Sequence, residues 1–380
     1  MNSKYTPLFQ PYTLNNGIEI KNRLVVAPMT HYASNPDGSV SEEELAFLQR
    51  RAQNFGLFIT AATLVSPEGK AFPGQPYAIS ATDLPSLKTV AKTLQDQGAK
   101  AILQIHHGGQ LALKNLIGEA DVVTASNNPE RHARALIETE IVSIINAFAN
   151  ATELAIQAGF DGVEIHGANN YLIQQFFSAE TNRRNDQWGG SLEKRLRFPL
   201  AVVDAVSAVK VRSERKDFIL GYRFSPEEPG DNGLTMQDTF ALIDALVEKP
   251  LQYLHVSLWD FYKKARRGAD STLTRMQLIH RRINGKLPLI GVGNLFTADQ
   301  ILAAYQTGWA EFIAMGKSVL INPDLATLIA NGEESKIATE IDPDRNDHYR
   351  IPANLWAQNM QHLAYLPPVK GNNEWKAVDI

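Results

Sequence analysis

The chain of 380 residues has the composition of an ordinary globular protein, with 44% hydrophobic and 21% charged residues and a formal net charge of -4 at pH 7. A large core is therefore expected, and the slight excess of acidic residues argues against nucleic acid as a partner. The absence of cysteine excludes disulfides, thiol nucleophiles, zinc–thiolate sites and cysteine-ligated iron–sulfur clusters. No targeting segment and no apolar run of membrane-spanning length is recognisable, so we expect a cytoplasmic protein without membrane contact.

Short apolar runs typical of buried parallel strands recur along the chain and are separated by helical patterns. The predicted strands are Leu24–Ala27, Leu57–Ala61, Ala101–Ile105, Gly162–Ile165, Phe218–Tyr222, Tyr253–Val256, Leu287–Gly291 and Phe312–Met315. About eight alternating strand–helix units predict an α/β fold, and specifically a closed (β/α)8 TIM barrel rather than an open sheet. No glycine-rich dinucleotide motif follows the first strand, which argues against a Rossmann fold.

Helix boundaries can be located at three places. Ser41 with Glu44, and Thr297 with Gln300, fit the capping box that starts a helix. Apolar residues at helical spacing between 141 and 158 predict a helix with one buried face, and Gly159 is expected to end it.

No linker or low-complexity segment divides the chain, so residues 1–342 are predicted to form a single barrel domain. Residues 110–138 and 257–280 are predicted to be loop excursions over one end of the barrel. The polar segment 343–380 is predicted to be a C-terminal extension that packs on the barrel or on a neighbouring subunit.

Polar side chains that could do chemistry follow the fourth predicted strand, where an active site is expected in a barrel. His166 and Asn169 are neutral donors that could polarise one carbonyl oxygen. Tyr171, two residues further on, could donate a proton without being ionised. A lone histidine is more often structural, but the three residues together predict a catalytic site.

Other strand ends carry residues that could contact a flat heterocyclic ligand. Thr30 follows Pro28 after the first strand, and Ala62 offers little steric bulk after the second. The amide of Gln104 can donate to and accept from a ring edge at once. Arg223 requires an anionic or electron-rich partner. A turn, tight packing or a salt bridge remains the alternative interpretation of these positions.

Glycines follow the last two predicted strands, where barrels commonly bind phosphate through backbone N–H groups. Gly293 is followed by Asn294, and Gly316 is followed by Lys317. Their presence at both positions favours a phosphate-bearing cofactor over simple turns.

With these features in place, the sequence resembles the old yellow enzyme family of FMN-dependent ene-reductases over about residues 7–335. The matching motifs are Leu8-Phe9-Gln10-Pro11, Lys21-Asn22-Arg23, Pro28-Met29, Gln104, His166-x-x-Asn169-x-Tyr171, Thr181–Ser191, Gly293 and Gly316. The resemblance implies that the isoalloxazine and ribityl chain of FMN are contacted by Ala27, Pro28, Met29, Thr30, Ala62, Gln104 and Arg223. It implies that the FMN phosphate is held by Gly293, Asn294, Gly316 and Lys317.

The resemblance also implies a ping-pong reaction, in which NADH or NADPH reduces the flavin and leaves before an α,β-unsaturated carbonyl compound takes its place. His166 and Asn169 would bind the carbonyl oxygen, and Tyr171 would protonate the α-carbon. Substrate contacts are expected from Tyr32 and Trp259, and aromatic residues at 72 and 262 could also shape the pocket. Small molecules are the expected partners, with a homo-oligomer possible.

Three positions depart from the pattern common in that family. Thr30 stands where some members carry a cysteine, Asn169 stands where many carry histidine, and Lys317 stands where arginine is common. Lysine keeps the positive charge but loses the bidentate geometry of arginine. The lack of cysteine also excludes the larger relatives that carry an iron–sulfur cluster.

Alternative functions remain open at this point. The same flavoprotein could act physiologically on quinones, nitro compounds or other oxidants. A metal-dependent barrel hydrolase could use His106, His107 and His166, but adjacent strand residues point to opposite faces, so one metal could hardly use both of the first two. A flavin-binding module without catalysis is disfavoured by the intact set of donors.

Overall fold

The computed structural model describes residues 1–376 and 378, and its centre is a closed barrel of eight parallel strands. The strands are β1 (Leu24–Val26), β2 (Leu57–Ile59), β3 (Lys100–His106), β4 (Gly162–Gly167), β5 (Ile219–Phe224), β6 (Tyr253–Val256), β7 (Leu289–Val292) and β8 (Phe312–Met315). Each strand pairs with the next, and β8 pairs with β1, which closes the barrel. The predicted TIM barrel is confirmed.

Four strands end later than the sequence predicts, β7 by the single residue Val292. β3, β4 and β5 extend to His106, Gly167 and Phe224, so His166 and Arg223 lie within strands rather than beyond them. The apolar pattern ended earlier because polar side chains occupy the inward positions near the rim of the barrel. Strand pairing, rather than side-chain polarity, decides where these strands end.

Eight helices alternate with the strands along the chain. They are α1 (Glu42–Leu48), α2 (Leu84–Gln95), α3 (Glu138–Ala158), α4 (Leu192–Arg212), α5 (Met236–Leu246), α6 (Arg275–Ile283), α7 (Ala298–Gln306) and α8 (Leu325–Asn331). Further helices lie outside this alternation, at Lys114–Ile117, Leu172–Phe177, Lys317–Ile321, Asn346–Tyr349 and Ala353–Asn359. The helices cover the outer face of the barrel, and side chains of the strands fill its interior.

One of the two predicted capping boxes is complete. At the start of α7, Thr297 accepts from the Gln300 amide at 3.2 Å and the Gln300 side chain accepts from the Thr297 amide at 3.2 Å. At α1, Ser41 accepts from the Glu44 amide, but the Glu44 carboxylate is engaged elsewhere. It accepts from the Ser34 hydroxyl at 2.7 Å, so the second half of this box is absent.

The helix predicted between residues 141 and 158 is α3, and Gly159 ends it with a φ of +86°. A left-handed residue at this position is favourable for glycine because it has no Cβ. Among the described residues α3 is the one helix long and apolar enough to cross a membrane, a test that a core helix also passes. In the barrel it packs against α2, α4, β3 and β4.

The barrel interior is apolar at one end and polar at the other. The apolar end contains Val25, Ile59, Ile102, Ile219, Ile290 and Phe312. An antiparallel hairpin formed by Tyr12–Thr13 and Glu19–Ile20 closes this end, with the neighbouring Leu14 and Ile20 packed into the same cluster. The carboxyl ends of the strands are left open, which is where barrel enzymes place their sites.

Residues after 342 contact the barrel at several points. Tyr349 and Leu355 are buried, and the fully buried Arg51 donates to the main-chain oxygen of Tyr349. The indole of Trp375 donates to the main-chain oxygen of Leu366 at 3.1 Å. Residues 377, 379 and 380 of the predicted extension lie outside the described residues.

Replacing Thr297 by alanine should lower the free energy of unfolding by about 1 kcal/mol, because a first-turn donor of α7 loses its acceptor. Urea unfolding followed by circular dichroism measures this change. Thr89→Ala, at an exposed interior position of α2, is the matched control and should change the value by less than about 0.5 kcal/mol. Equal losses in the two variants would contradict a capping role for Thr297.

Candidate active site

A cavity of about 450 Å³ opens at the carboxyl ends of the barrel strands. All the residues predicted to bind cofactor or substrate, or to act in catalysis, line it. They are Ala27, Pro28, Met29, Thr30, Tyr32, Ala62, Gln104, His166, Asn169, Tyr171, Arg223, Trp259, Gly293, Asn294, Gly316 and Lys317. Phe72 contributes indirectly, because its ring contacts that of Tyr32 with centroids 5.8 Å apart.

His166 points into the barrel from β4 and is a neutral donor. Its Nδ1 accepts from the Ala168 amide at 3.3 Å, so the proton of the neutral ring resides on Nε2. Burial lowers the pKa of His166 to about 3, and the positive charge of Arg223 acts in the same direction. Its imidazole therefore donates a hydrogen bond without carrying a charge near neutral pH.

Asn169 is held by the hydroxyls of two serines that directly follow the neighbouring strands β5 and β6. Its backbone is in the left-handed region, with a φ of +57°, and its backbone N–H donates to Ser225 Oγ at 2.9 Å. Its side chain lies 3.1 Å from Ser257 Oγ, which also accepts from Arg223 Nη2 at 3.1 Å. Ser257 thus connects a candidate carbonyl donor to a buried cation.

The ring of Tyr171 contacts the rings of two histidines, which also contact each other. Its ring is edge-on to His106, with centroids 4.3 Å apart, and to His166, at 5.2 Å. Burial raises the pKa of Tyr171 to about 12, with a smaller contribution from Tyr32. The phenol therefore keeps its proton at neutral pH and can act as a donor.

The adjacent histidines at the end of β3, His106 and His107, have different neighbours. Gln75 Nε2 lies 3.0 Å from His106 Nδ1, whereas His107 Nε2 lies 3.5 Å from Glu68. The two rings thus have separate partners, as strand alternation predicts. Among the described residues, no group of three or more histidine, aspartate or glutamate side chains could hold a metal ion. The metal-hydrolase alternative therefore has no ligand set in this part of the chain.

Lys317 lies at the edge of the cavity formed by β7 and β8. Its ammonium donates to Asn294 Oδ1 at 2.8 Å and lies 5.2 Å from the ring centroids of both Trp259 and Trp375. Burial lowers the pKa of Lys317 to about 8. Gly293 has a φ of +142°, and a Cβ there would come within 2.3 Å of a backbone nitrogen. Only glycine fits at this position, because the backbone of Asp260 and Phe261 packs against it.

Some lining residues were missed by sequence reasoning. Ser257 directly follows β6, and continued strand alternation would have placed it on the inner face. Leu355, Tyr365, Leu366 and Val378 also line the cavity. These residues belong to the C-terminal extension, residues 343–380, whose path no local sequence pattern predicts.

Comparisons with known proteins agree with this fold and site. Residues 7–336 match the model of the NADH:flavin oxidoreductase / NADH oxidase family. The chain is 49% identical over 370 residues to a Bacillus subtilis (strain 168) protein described as a probable NADH-dependent flavin oxidoreductase, covering 97% of this chain and 99% of the relative.

Solved structures give the same result. Morphinone reductase in complex with tetrahydroNAD is similar with a TM-score of 0.73 and 29% identity, over 86% of this chain and 91% of that chain. An old yellow enzyme homologue from Zymomonas mobilis has the same fold with a TM-score of 0.76 and 23% identity, over 98% and 99% of the two chains.

The chain belongs to the NADH:flavin oxidoreductase / NADH oxidase family, which confirms the predicted old yellow enzyme relationship. It is an oxidoreductase that uses FMN and NADH or NADPH, as predicted.

Protonation of His166 should account for part of the acid sensitivity of the fold. The pKa of His166 is about 3 in the folded state and about 6.5 when unfolded, so the unfolded chain takes up a proton first as the pH falls. Stability should therefore drop by about 2 kcal/mol between pH 7 and pH 5 from this residue alone. His166→Asn should lack this contribution to the loss of stability between pH 7 and pH 5. Urea unfolding at both pH values measures the free energy of unfolding.

The exposed His132, which has a left-handed backbone that asparagine tolerates, supplies the matched control His132→Asn. This variant should retain the full pH dependence of the native protein. An equal loss of stability in native protein and His166→Asn would show that the buried ring does not resist protonation.

Proposed function

We propose that this protein is an FMN-dependent, NAD(P)H-oxidising ene-reductase that reduces activated C=C bonds of α,β-unsaturated carbonyl compounds by a ping-pong reaction. The observation that carries the proposal is one cavity in which two neutral donors, His166 and Asn169, lie beside the protonated phenol of Tyr171. Such a set of donors suits a reaction that builds negative charge on oxygen and then requires a proton.

The residues lining the deeper part of the cavity fit the ring of FMN. Gln104 presents an amide, and Arg223 is a buried cation whose Nε has no hydrogen-bond partner. Ala27, Ala62 and Met29 provide an apolar surface for a flat ring. Pro28 and Thr30 would complete this wall. When bound, FMN would accept hydride from the reduced nicotinamide and pass it to the β-carbon of the substrate.

The residues at the ends of β7 and β8 fit the phosphate of FMN. Gly293 and Gly316 line the cavity at neighbouring strand ends, and Gly316 lies opposite Asn294 if the β7–β8 register is continued. Lys317 would supply the positive charge, oriented by its hydrogen bond to Asn294. Backbone N–H groups together with an ammonium ion are a common way of binding phosphate.

Polarisation of the substrate would depend on His166 and Asn169. Hydrogen bonds to a carbonyl oxygen strengthen as negative charge develops there, so they stabilise the transition state more than the bound substrate. Tyr171 would then protonate the α-carbon. Tyr32 and Trp259 would limit the shape of the substrate, and a single cavity would receive nicotinamide and substrate in turn.

The segment 343–380 would serve as an extension of the domain formed by residues 1–342. Its contribution to the site is supported by Leu355, Tyr365 and Leu366, which line the cavity. The proposal is that this segment covers one side of its own barrel rather than that of a neighbouring subunit.

Tyr171→Phe should separate the two halves of the reaction. Anaerobic flavin reduction by NADPH should change less than about twofold, because it needs no proton from this residue. Reoxidation by 2-cyclohexenone should slow by about 10²–10⁴, the usual contribution of a general acid. Stopped-flow absorbance measures both rates on the same protein.

Tyr262→Phe is the matched control, because Tyr262 is exposed and does not line the cavity. Equal slowing of both half-reactions in Tyr171→Phe would remove this residue from the donor role. Failure of the enone to reoxidise the reduced native protein, with rapid reoxidation by a quinone, would overturn the proposed substrate class.

FMN affinity should fall as the pH rises from 7 to 9, because Lys317 has a pKa of about 8 before phosphate binds. The ammonium is fully present below that pKa and is lost above it. At pH 9 about one tenth remains charged, so the affinity should drop by up to about tenfold. Quenching of FMN fluorescence by the apoprotein measures the dissociation constant.

Lys317→Met should bind FMN more weakly at pH 7 and show no such pH dependence. Lys317→Arg, which stays charged throughout this range, should bind FMN with little change between pH 7 and 9. The same pH dependence in native protein and Lys317→Met would exclude Lys317 as the phosphate-binding cation.

A further inference from the structure

Beneath the cavity lies a layer of polar side chains centred on Glu164, which is fully buried. Glu164 precedes His166 by two residues on β4, so both side chains point into the barrel. The strand register places Glu164 level with Gln104 of β3 on one side and with Gly221 of β5 on the other. The carboxylate thus lies in the barrel interior, next to Gln104 of the proposed FMN site.

The carboxylate of Glu164 has three hydrogen-bond donors from two other strands. Oε1 accepts from Gln104 Nε2 at 2.7 Å. Oε2 accepts from His255 Nδ1 at 2.8 Å and from the Tyr253 hydroxyl at 3.1 Å. A buried carboxylate is costly unless its oxygens are satisfied in this way, so the surrounding strands are built to hold it.

Gly221 leaves room for this arrangement. A Cβ at position 221 would lie 2.1 Å from Cζ of Tyr253. Any larger residue would push the Tyr253 ring away and with it the hydroxyl that reaches Glu164. Glycine at position 221 therefore allows the Tyr253 hydroxyl to reach the Glu164 carboxylate on the neighbouring strand.

Glu164 is the anion that accompanies the buried cation of the cavity. Burial by itself would raise the pKa of Glu164, but His255, Arg223 and Gln104 together lower it below its usual value. Burial lowers the pKa of Arg223 and Glu164 raises it, and the guanidinium stays charged. Arg223 pairs in register with His166, one inward position closer to the cavity than Glu164.

We propose that Glu164 is a positioning residue for the FMN site, which orients the amide of Gln104 and partly compensates the charge of Arg223. Because Gln104 Nε2 is bound to Glu164, the amide cannot rotate without losing that hydrogen bond. The carboxylate also weakens the attraction of Arg223 for any negative charge in the cavity. The inference requires FMN in this cavity, but not enone reduction.

Reduction of FMN by two electrons makes the flavin more negative, so nearby charges shift its reduction potential. Arg223 favours the reduced form, and Glu164 opposes it from one layer below. Removing the negative charge of Glu164 while keeping its size should leave Arg223 uncompensated. Reduced flavin should then be stabilised relative to oxidised flavin.

The test is the midpoint potential of the FMN-loaded protein, measured by reductive titration with a reference dye. In Glu164→Gln the ratio of the affinity for reduced FMN to the affinity for oxidised FMN should be at least tenfold higher than in the native protein. A tenfold change in this ratio raises the midpoint potential by about 30 mV. Tyr253→Phe removes one donor but keeps the charge, and should change the same ratio less than twofold. An unchanged potential in FMN-loaded Glu164→Gln would overturn the proposal.

Glu164→Asp provides a second test if Glu164→Gln does not fold. The shorter side chain keeps the charge but withdraws from Gln104, so FMN should dissociate more readily and its absorbance bands should shift. Native FMN affinity and a native spectrum in Glu164→Asp would contradict the proposal. Absence of FMN from the native protein would instead contradict the FMN site itself.

Discussion

The pairing of β8 with β1 is the constraint on which the rest of the molecule depends. Once the barrel is closed, all eight parallel strands end at one rim, and alternate residues of every strand share one interior. The hairpin before β1 fills the opposite end with apolar side chains. Ligand-binding groups can therefore collect at one rim only, where His166 and Arg223 from neighbouring strands lie in register.

Burial at this rim also sets the protonation states of the site. It keeps His166 neutral and Tyr171 protonated, while Lys317 loses its proton far more easily than an exposed lysine. Fixed neutral donors can stabilise negative charge on a bound oxygen as it forms, because they need not reorganise during the reaction. Glu164 lies one layer deeper than His166 and Arg223, where donors from β3 and β6 hold its carboxylate.

Much of the site could be predicted from the sequence because its residues lie at the ends of predicted strands. The positions of Gln104, His166 and Gly293 follow from short apolar runs and from the convergence of parallel strands at one rim. The lengths of β3, β4 and β5 were underestimated, since polar inward residues interrupt the apolar pattern while the backbone pairing continues. The prediction that Glu44 completes a capping box with Ser41 was also wrong, because the Glu44 carboxylate accepts a hydrogen bond from the Ser34 hydroxyl instead.

The sequence by itself determined the barrel, the family and the kinds of residue at each strand end, since these depend on local periodicity and on motifs. The tertiary structure decided which of those residues touch. Ser257 links Asn169 to Arg223, Glu164 receives donors from β3 and β6, and the tail places Leu355 at the cavity. These contacts join residues far apart in the chain, so they exist only after closure of the barrel fixes strand register.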